Sequence, residues 1–287
     1  MKSSSCNIDA WVKAAPRSQK EFREAVHVIL TAIAHDLRLR ELMVMKGGIL
    51  LAVRYQSSRF TTDLDFSTTL TRGDLNFPEF RENLESSLAI VVADSDYSLD
   101  CRIQRFRLNP PKEDAQFSNL ELSVGYAYKG SAKHKKLLLL QSPTAIQIDF
   151  NLNEPILSIE ALQFGKGADL HAYAFPDLVA EKFRALIQQA TRNRFRRQDV
   201  FDLNFLLSTP EGGTSKSEVL QSLLEKAQSR GIVPTPDSLA DPEIRRRAQH
   251  DYATLADEVE GELPNFEKSY EQVEAYYRSL PWPSVPR

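Results

Sequence analysis

The chain has 287 residues, 42% hydrophobic and 26% charged, a composition that excludes a disordered or fibrous protein and allows one large core or two ordinary ones. Its formal net charge of −3 excludes wholesale coating of nucleic acid, so any RNA or DNA contact must come from local basic patches. No apolar run approaches the roughly 18 residues that cross a bilayer, the N-terminus lacks the apolar core of a secretory signal, and Cys6 and Cys101 have no metal-like spacing, so a cytoplasmic protein is expected.

In chain order, Ser18-Gln19-Lys20-Glu21 has the form of a capping box, with Ser18 as N-cap. Phe22, Val26, Ile29, Leu30, Ile33 and Leu37 then recur at helical spacing, which predicts a helix to about Arg40. His27 and His35 in it have no ligand partner at useful spacing. Residues 42–45 read as a strand that enters Lys46-Gly47-Gly48 and a short helix, and Asp63-Leu64-Asp65-Phe66 reads as the next strand. Pro78 opens a helix over 78–92. Strands are predicted over 99–108, 117–128 and 145–153, the last two joined by a basic loop with Lys133, Lys135 and Lys136, and an apolar segment follows over 156–164. From Phe175 the pattern is helical: one helix after Pro176, a basic connector over 192–197, and a second helix, QDVFDLNFLL. A Gly, Ser and Thr-rich stretch over 209–217 predicts a flexible linker. Helices follow near 216–229, 242–259 and 265–280, with an extended tail. The expected architecture is α+β over 1–165, a mixed sheet flanked by helices, then a helical domain over 166–287.

The chemistry concentrates at residues 46–65. Residues two apart on a strand face the same way, so Asp63 and Asp65 are expected side by side. Two carboxylates that close are tolerated best with a cation between them, and Mg²⁺ fits carboxylates, water and phosphate oxygens. Gly47-Gly48 open a helix whose free N–H groups and dipole can hold phosphate. A third carboxylate is expected on a neighbouring strand. In AIQIDF, Ile146, Ile148 and Phe150 alternate onto an apolar face, leaving Asp149 on the other; Glu121 is the runner-up. The plainer reading of Asp149 is an edge-strand residue in water.

These parts together resemble the first motif of the polymerase-beta-type nucleotidyltransferases. Lys46-Gly47-Gly48 with Arg59-Phe60-Thr61-Thr62-Asp63-Leu64-Asp65-Phe66 resembles more narrowly that of the AbiEii family, nucleotidyltransferase toxins of type IV abortive-infection and toxin–antitoxin systems that include the MenT-like toxins. Ile49 stands where many members carry a hydroxyl residue, and Thr61 where Ser is more usual. Ala180-Glu181-Lys182 resembles the third motif, and Arg196-Arg197-Gln198-Asp199 with Asp202 the fourth. The resemblance covers residues 46–202, in the family's order.

The resemblance implies a polymerase-beta-like fold and a phage-defence toxin that transfers NMP from an NTP and releases pyrophosphate. Its site would hold Mg²⁺, or Mn²⁺, on Asp63, Asp65 and Asp149. Lys46, Gly47, Gly48, Arg59 and Thr61 would bind nucleotide, and Lys182 and Asp199 would complete the site between the two parts, Asp199 as a base or as a partner of Lys182. The implied acceptor is the tRNA 3′ end, with Arg192, Arg194, Arg196 and Arg197 touching RNA and Phe195 stacking a base. A cognate antitoxin encoded nearby is implied, acting at the promoter without needing direct contact. The alternatives are a non-catalytic NTP- or RNA-binding protein and a transferase acting on a protein or small molecule.

Overall fold

The structure, a computed structural model, describes residues 2–6, 8–112, 117–164, 168–213 and 216–283. Its contacts divide the chain into two units, which interleave along the sequence. The first comprises Met1–Arg54, Thr61–Glu154 and Ile159–Ala172; the second comprises Tyr55–Phe60, Pro155–Ser158 and Tyr173–Arg287. The expected single boundary at 165/166 falls outside the described residues.

Among the described residues, eight strands form the mixed sheet of the first unit. They are β1 (Lys2–Ser5), β2 (Val44–Lys46), β3 (Leu64–Ser67), β4 (Leu99–Asn109), β5 (Asn119–Tyr128), β6 (Ala145–Asn151), β7 (Ile159–Phe164) and β8 (Ala168–Tyr173), in the spatial order β1-β7-β8-β2-β3-β6-β5-β4. The central strands β2, β3 and β6 pair antiparallel and then parallel. The helices are α1 (Ile8–Lys13), α2 (Lys20–His35), α3 (Leu37–Leu42), α4 (Gly47–Tyr55), α5 (Phe77–Asp94) and α6 (Ala132–Leu138). Alternation along the strands separates two faces. Leu64, Phe66, Leu120, Leu122, Ile148 and Phe150 are fully buried on one. That face is covered in part by α5, whose Phe80 stacks on Phe150 with ring centroids 5.5 Å apart. Asp65, Glu121 and Asp149 belong to the opposite face.

The second unit contains α7 (Phe175–Ile187), α8 (Arg197–Leu207), α9 (Lys216–Gln228), α10 (Pro242–Gln249) and α11 (Phe266–Arg278). Phe183 of α7 meets Tyr277 of α11 edge-on at 5.1 Å. A buried ion pair anchors α7 to α9: Lys226 Nζ lies 3.2 Å from Asp177 Oδ2, with both side chains essentially inaccessible. Further hydrogen bonds support both partners, which offsets part of the cost of burying the charges. Lys226 also donates to the Pro155 carbonyl at 2.6 Å, and Asp177 accepts from the Leu157 N–H at 3.1 Å and the Ser222 hydroxyl at 2.8 Å. The segment Pro155–Ser158 is thereby held to the helices. Tyr55–Phe60 is held by a bridge between Arg59 and Val259 and by the Phe60 N–H on the Glu258 carbonyl, 2.6 Å.

Several local expectations differ from what forms. The Ser18 capping box is absent: α2 begins at Lys20 with Gln19 as an N-cap that makes no side-chain bond. Glu21 instead accepts from the Tyr128 N–H and from Lys133, contacts more than a hundred residues away. The helix expected to run to Arg40 ends at His35, because Asp36 accepts the Leu39 N–H at 2.9 Å and caps a new helix, α3. The basic loop contains α6, capped by Ser131 on the His134 N–H. The linker expected over 209–217 is a 3₁₀ turn at Pro210–Gly213 followed by α9 from Lys216, with residues 214–215 outside the description. No helix among the described residues is long and apolar enough to cross a membrane.

Candidate active site

The sheet aligns charged residues in one row. Lys46 of β2 is opposite Asp65 of β3, Asp65 is opposite Asp149 of β6, Asp149 is opposite Glu121 of β5, and Glu121 is opposite Arg107 of β4. Residues opposed on neighbouring strands project from the same face, so a lysine, three carboxylates and an arginine lie in sequence across five strands. Asp63, Glu121 and Asp149 also line one cavity of about 200 Å³, together with Arg105, Leu122, Gln147 and Ile148. Both third-carboxylate candidates therefore reach the site. Asn119 donates to Asp149 Oδ1 at 2.8 Å, and Asn109 to Glu121 Oε1 at 2.7 Å.

Asp63 sits just ahead of β3, not on it as expected. The ladder with β6 starts at Leu64, and β2 ends at Lys46, opposite Asp65, where the chain turns into α4. Asp63 thus lacks a neighbouring strand to extend against. Its carboxylate is exposed and accepts from the Thr62 hydroxyl at 3.2 Å.

The glycine turn touches the carboxylates. Gly47 has φ of +78°, and a Cβ added to it would lie 2.0 Å from Asp65 Oδ2. Only glycine supplies both the left-handed backbone and the close approach. Gly48 follows in the first turn of α4, where helix N–H groups lack intrahelical acceptors. The donors of Asp63, Asp65 and Asp149 are hard oxygens, the chemistry that suits Mg²⁺ or Mn²⁺. Among the described residues no three His, Cys, Asp or Glu side chains stand close enough to hold an ion as they are. The fit to a divalent ion therefore rests on donor type and register.

The second unit holds another charged constellation. Lys182 of α7 donates to Asp199 Oδ1 at 3.0 Å and to Asp202 Oδ2 at 2.6 Å; both aspartates lie on one side of α8, three residues apart. Arg59 forks onto Asp202 through Nε at 2.8 Å and Nη2 at 2.9 Å, the bidentate geometry that makes such pairs strong. All four side chains are buried. Burial opposes the charge on Lys182, but Asp202 and Asp199 outweigh it and hold its pKa above the ordinary lysine value. Burial likewise opposes the charge on Asp202, and Lys182 with Arg59 hold its carboxyl below the usual range. Lys182 is thus a cation with two of its three N–H bonds committed, suited to neutralising charge and unsuited to acting as a base. Asp199 Oδ2 is buried and has no hydrogen-bond partner among the described residues, and Arg196 Nε lies 3.9 Å from it.

Of the four connector arginines, Arg197 bonds Glu258 at 2.7 Å, and the Arg196 N–H bonds Gln189 at 2.8 Å. Arg192 and Arg194 are exposed. Phe195 lies against His250, with ring centroids 4.2 Å apart and the planes tilted by 30°, and Arg247 of α10 is 5.4 Å from its ring, so two basic clusters far apart in sequence form one surface. Arg105 and Asp202 escaped the sequence reading as site residues. Arg105 was legible in the break of alternation between Ile103 and Phe106; the Asp202–Arg59 fork, between residues 143 apart, left no local signal.

Residues 28–278 match the family model described as nucleotidyl transferase AbiEii toxin of type IV toxin–antitoxin systems. Two solved structures from Helicobacter pylori share the fold. One, a candidate nucleotidyltransferase, is 14% identical with a TM-score of 0.52, over 93% of this chain and 96% of that one. The other, JHP933, is 16% identical with a TM-score of 0.53, over 93% of each. No curated protein matches the sequence significantly.

Proposed function

The chain belongs to the AbiEii family of nucleotidyltransferase toxins, and on that premise we propose that it transfers NMP from an NTP to the 3′ end of tRNA, blocking translation and growth. The family makes it a nucleotidyltransferase with an NTP substrate and an antitoxin partner; the tRNA acceptor and Mg²⁺ are our reading. The observation that carries it is the contact of Gly47 with Asp65, which itself stands in register with Asp149. That closeness supports a reading in which the glycine turn binds phosphate beside the paired carboxylates.

Asp63, Asp65 and Asp149 would hold the divalent ion, Mg²⁺ or Mn²⁺. When bound, it would neutralise triphosphate charge and make the acceptor hydroxyl a better nucleophile. The Gly47 and Gly48 backbone, with Lys46 and the Thr61 hydroxyl, would bind the β- and γ-phosphates. Asp149 would orient the acceptor hydroxyl toward the α-phosphorus. Lys182 would offset the charge that builds on departing pyrophosphate. Asp199 and Asp202 keep that lysine protonated and aimed, and Arg59 fixes Asp202, so we assign Asp199 a holding role and Arg59 an indirect one. Arg192 and Arg194 are the connector arginines available to RNA. Phage defence is the setting we propose, with an antitoxin that need not touch this chain.

The test is mass analysis of tRNA recovered after controlled expression. Wild type should leave tRNA lengthened at its 3′ end by one or more nucleotides, and Asp63→Ala should leave it unchanged. Growth arrest with unmodified tRNA would contradict the acceptor assignment.

A further inference from the structure

Arg105 and Arg107 are exposed, and among the described residues neither makes a hydrogen bond or ion pair with another side chain. Yet Arg105 lines the cavity of Asp63, Glu121 and Asp149, and Arg107 stands opposite Glu121 in the charged row. A β-bulge puts them there. Up to Ile103, opposite Val124, the strands β4 and β5 pair one to one; then the register skips Gln104, and Arg105 falls opposite Ser123. Without that extra residue Arg105 and Arg107 would turn to the apolar face. With it, Phe106 and Leu108 stay opposite Leu122 and Leu120, and both guanidiniums join the carboxylate face. The bulge is secured: Gln104 accepts the Ser142 N–H at 3.0 Å, and a Cβ on Gly125 would lie 2.8 Å from Gln104 Cγ.

The position selects the ligand. β4 ends the sheet, four strands from β2 and two from β6. At about 4.8 Å per strand, Arg107 is on the order of 19 Å from the Gly47 turn but about 10 Å from Asp149. It is thus distant from the end that would hold NTP phosphates and close to the end that would receive the acceptor. Exposed, uncommitted guanidiniums recognise phosphate bidentately.

We infer that Arg105 and Arg107 form an acceptor clamp, binding backbone phosphates of an RNA strand laid over β4 so that its terminal hydroxyl reaches Asp149. This rests on the reading above that the acceptor is RNA. The clamp acts on binding, so it is tested by affinity for tRNA across a salt series, with full-length wild type, Arg105→Gln/Arg107→Gln and the charge-matched control Arg38→Gln/Arg81→Gln. The control residues are exposed, Arg81 on α5 with the Phe80 that stacks over the apolar face.

The clamp variant should lose affinity about tenfold, uniformly across RNA sequences. Its slope of log affinity against log salt should fall by about 0.7 for each single-strand phosphate that is no longer bound. The control should match wild type, and the KM for NTP should be unchanged in both. Unaltered affinity and slope in the clamp variant would overturn the inference, as would wild type that binds no RNA and labels a protein or small molecule. If RNA binding depends on the two arginines but nothing is transferred, the clamp stands and the catalytic reading fails.

Discussion

Replacing Gly47 by alanine probes the joint between the phosphate turn and the carboxylates. The residue has φ of +78°, and its new Cβ would meet Asp65 Oδ2 at 2.0 Å, Cγ at 2.7 Å and Cβ at 2.8 Å. The left-handed backbone costs about 1–2 kcal/mol with a side chain present. The overlap adds about 1–3 kcal/mol, since Asp65 must shift at Cβ as well as at the carboxylate. A loss of about 2–5 kcal/mol is therefore expected for the first unit. Trp11 and Trp282 are the two tryptophans, so in a Trp282→Phe background Trp11 reports on the unit that contains the change. Urea unfolding of Gly47→Ala, Asp65→Ala and the double variant closes a cycle. Asp65→Ala removes the overlaps with Oδ2 and Cγ and leaves the one with Cβ, so the double variant should recover about 1–2 kcal/mol relative to additivity, while the backbone cost and the Cβ overlap remain. Transfer activity of the Gly47 single variant should fall about 100-fold, the usual effect of moving a reacting group by an ångström. Full additivity, or Gly47→Ala as stable as wild type, would refute the contact and the reasoning built on it.

Two further outcomes follow from the second unit. Lys226→Met leaves Asp177 buried without its cation, so it should cost about 3–5 kcal/mol in urea unfolding; a change under 1 kcal/mol would contradict the pairing. The Lys182–Asp202 pair sets a pH window. The pKa of Asp202 is depressed from 3.8, so its contribution is complete above that value and disappears as pH falls through the lower folded pKa. The pKa of Lys182 is raised from 10.5, so its contribution is complete below that value and is lost as pH rises through the higher folded pKa. The stability difference between wild type and Asp202→Asn should therefore stay constant from pH 5 to 9 and shrink as pH falls below 3.8. A midpoint near pH 7 would indicate a different group.

Period and local chemistry carried most of what could be read before the structure. The alternation of Ile146, Ile148 and Phe150 placed Asp149 on the polar face, where it stands opposite Asp65. The glycines after Lys46 marked the turn, and Pro78 marked the start of α5, which the structure caps with Asn76. The misses share a cause: a distant partner outbid a local signal. Glu21 left its capping box for Tyr128 and Lys133. Asp63 fell outside its strand because β2 turns away at Lys46. Asp202 and Arg59, far apart in sequence, meet as the support of Lys182. A one-residue bulge decided which face received Arg105, a register effect that simple alternation misreads.

The central claim is tested most directly by incubating purified protein with α-labelled NTP, Mg²⁺ and total tRNA, measuring labelled RNA and released pyrophosphate together. Wild type should produce both in equal amounts, and Asp63→Ala, Asp149→Ala and Lys182→Met, each checked for folding, should produce neither. Labelling that survives the loss of Asp63 or Asp149, or no labelling of any acceptor by wild type with any NTP, would contradict the account.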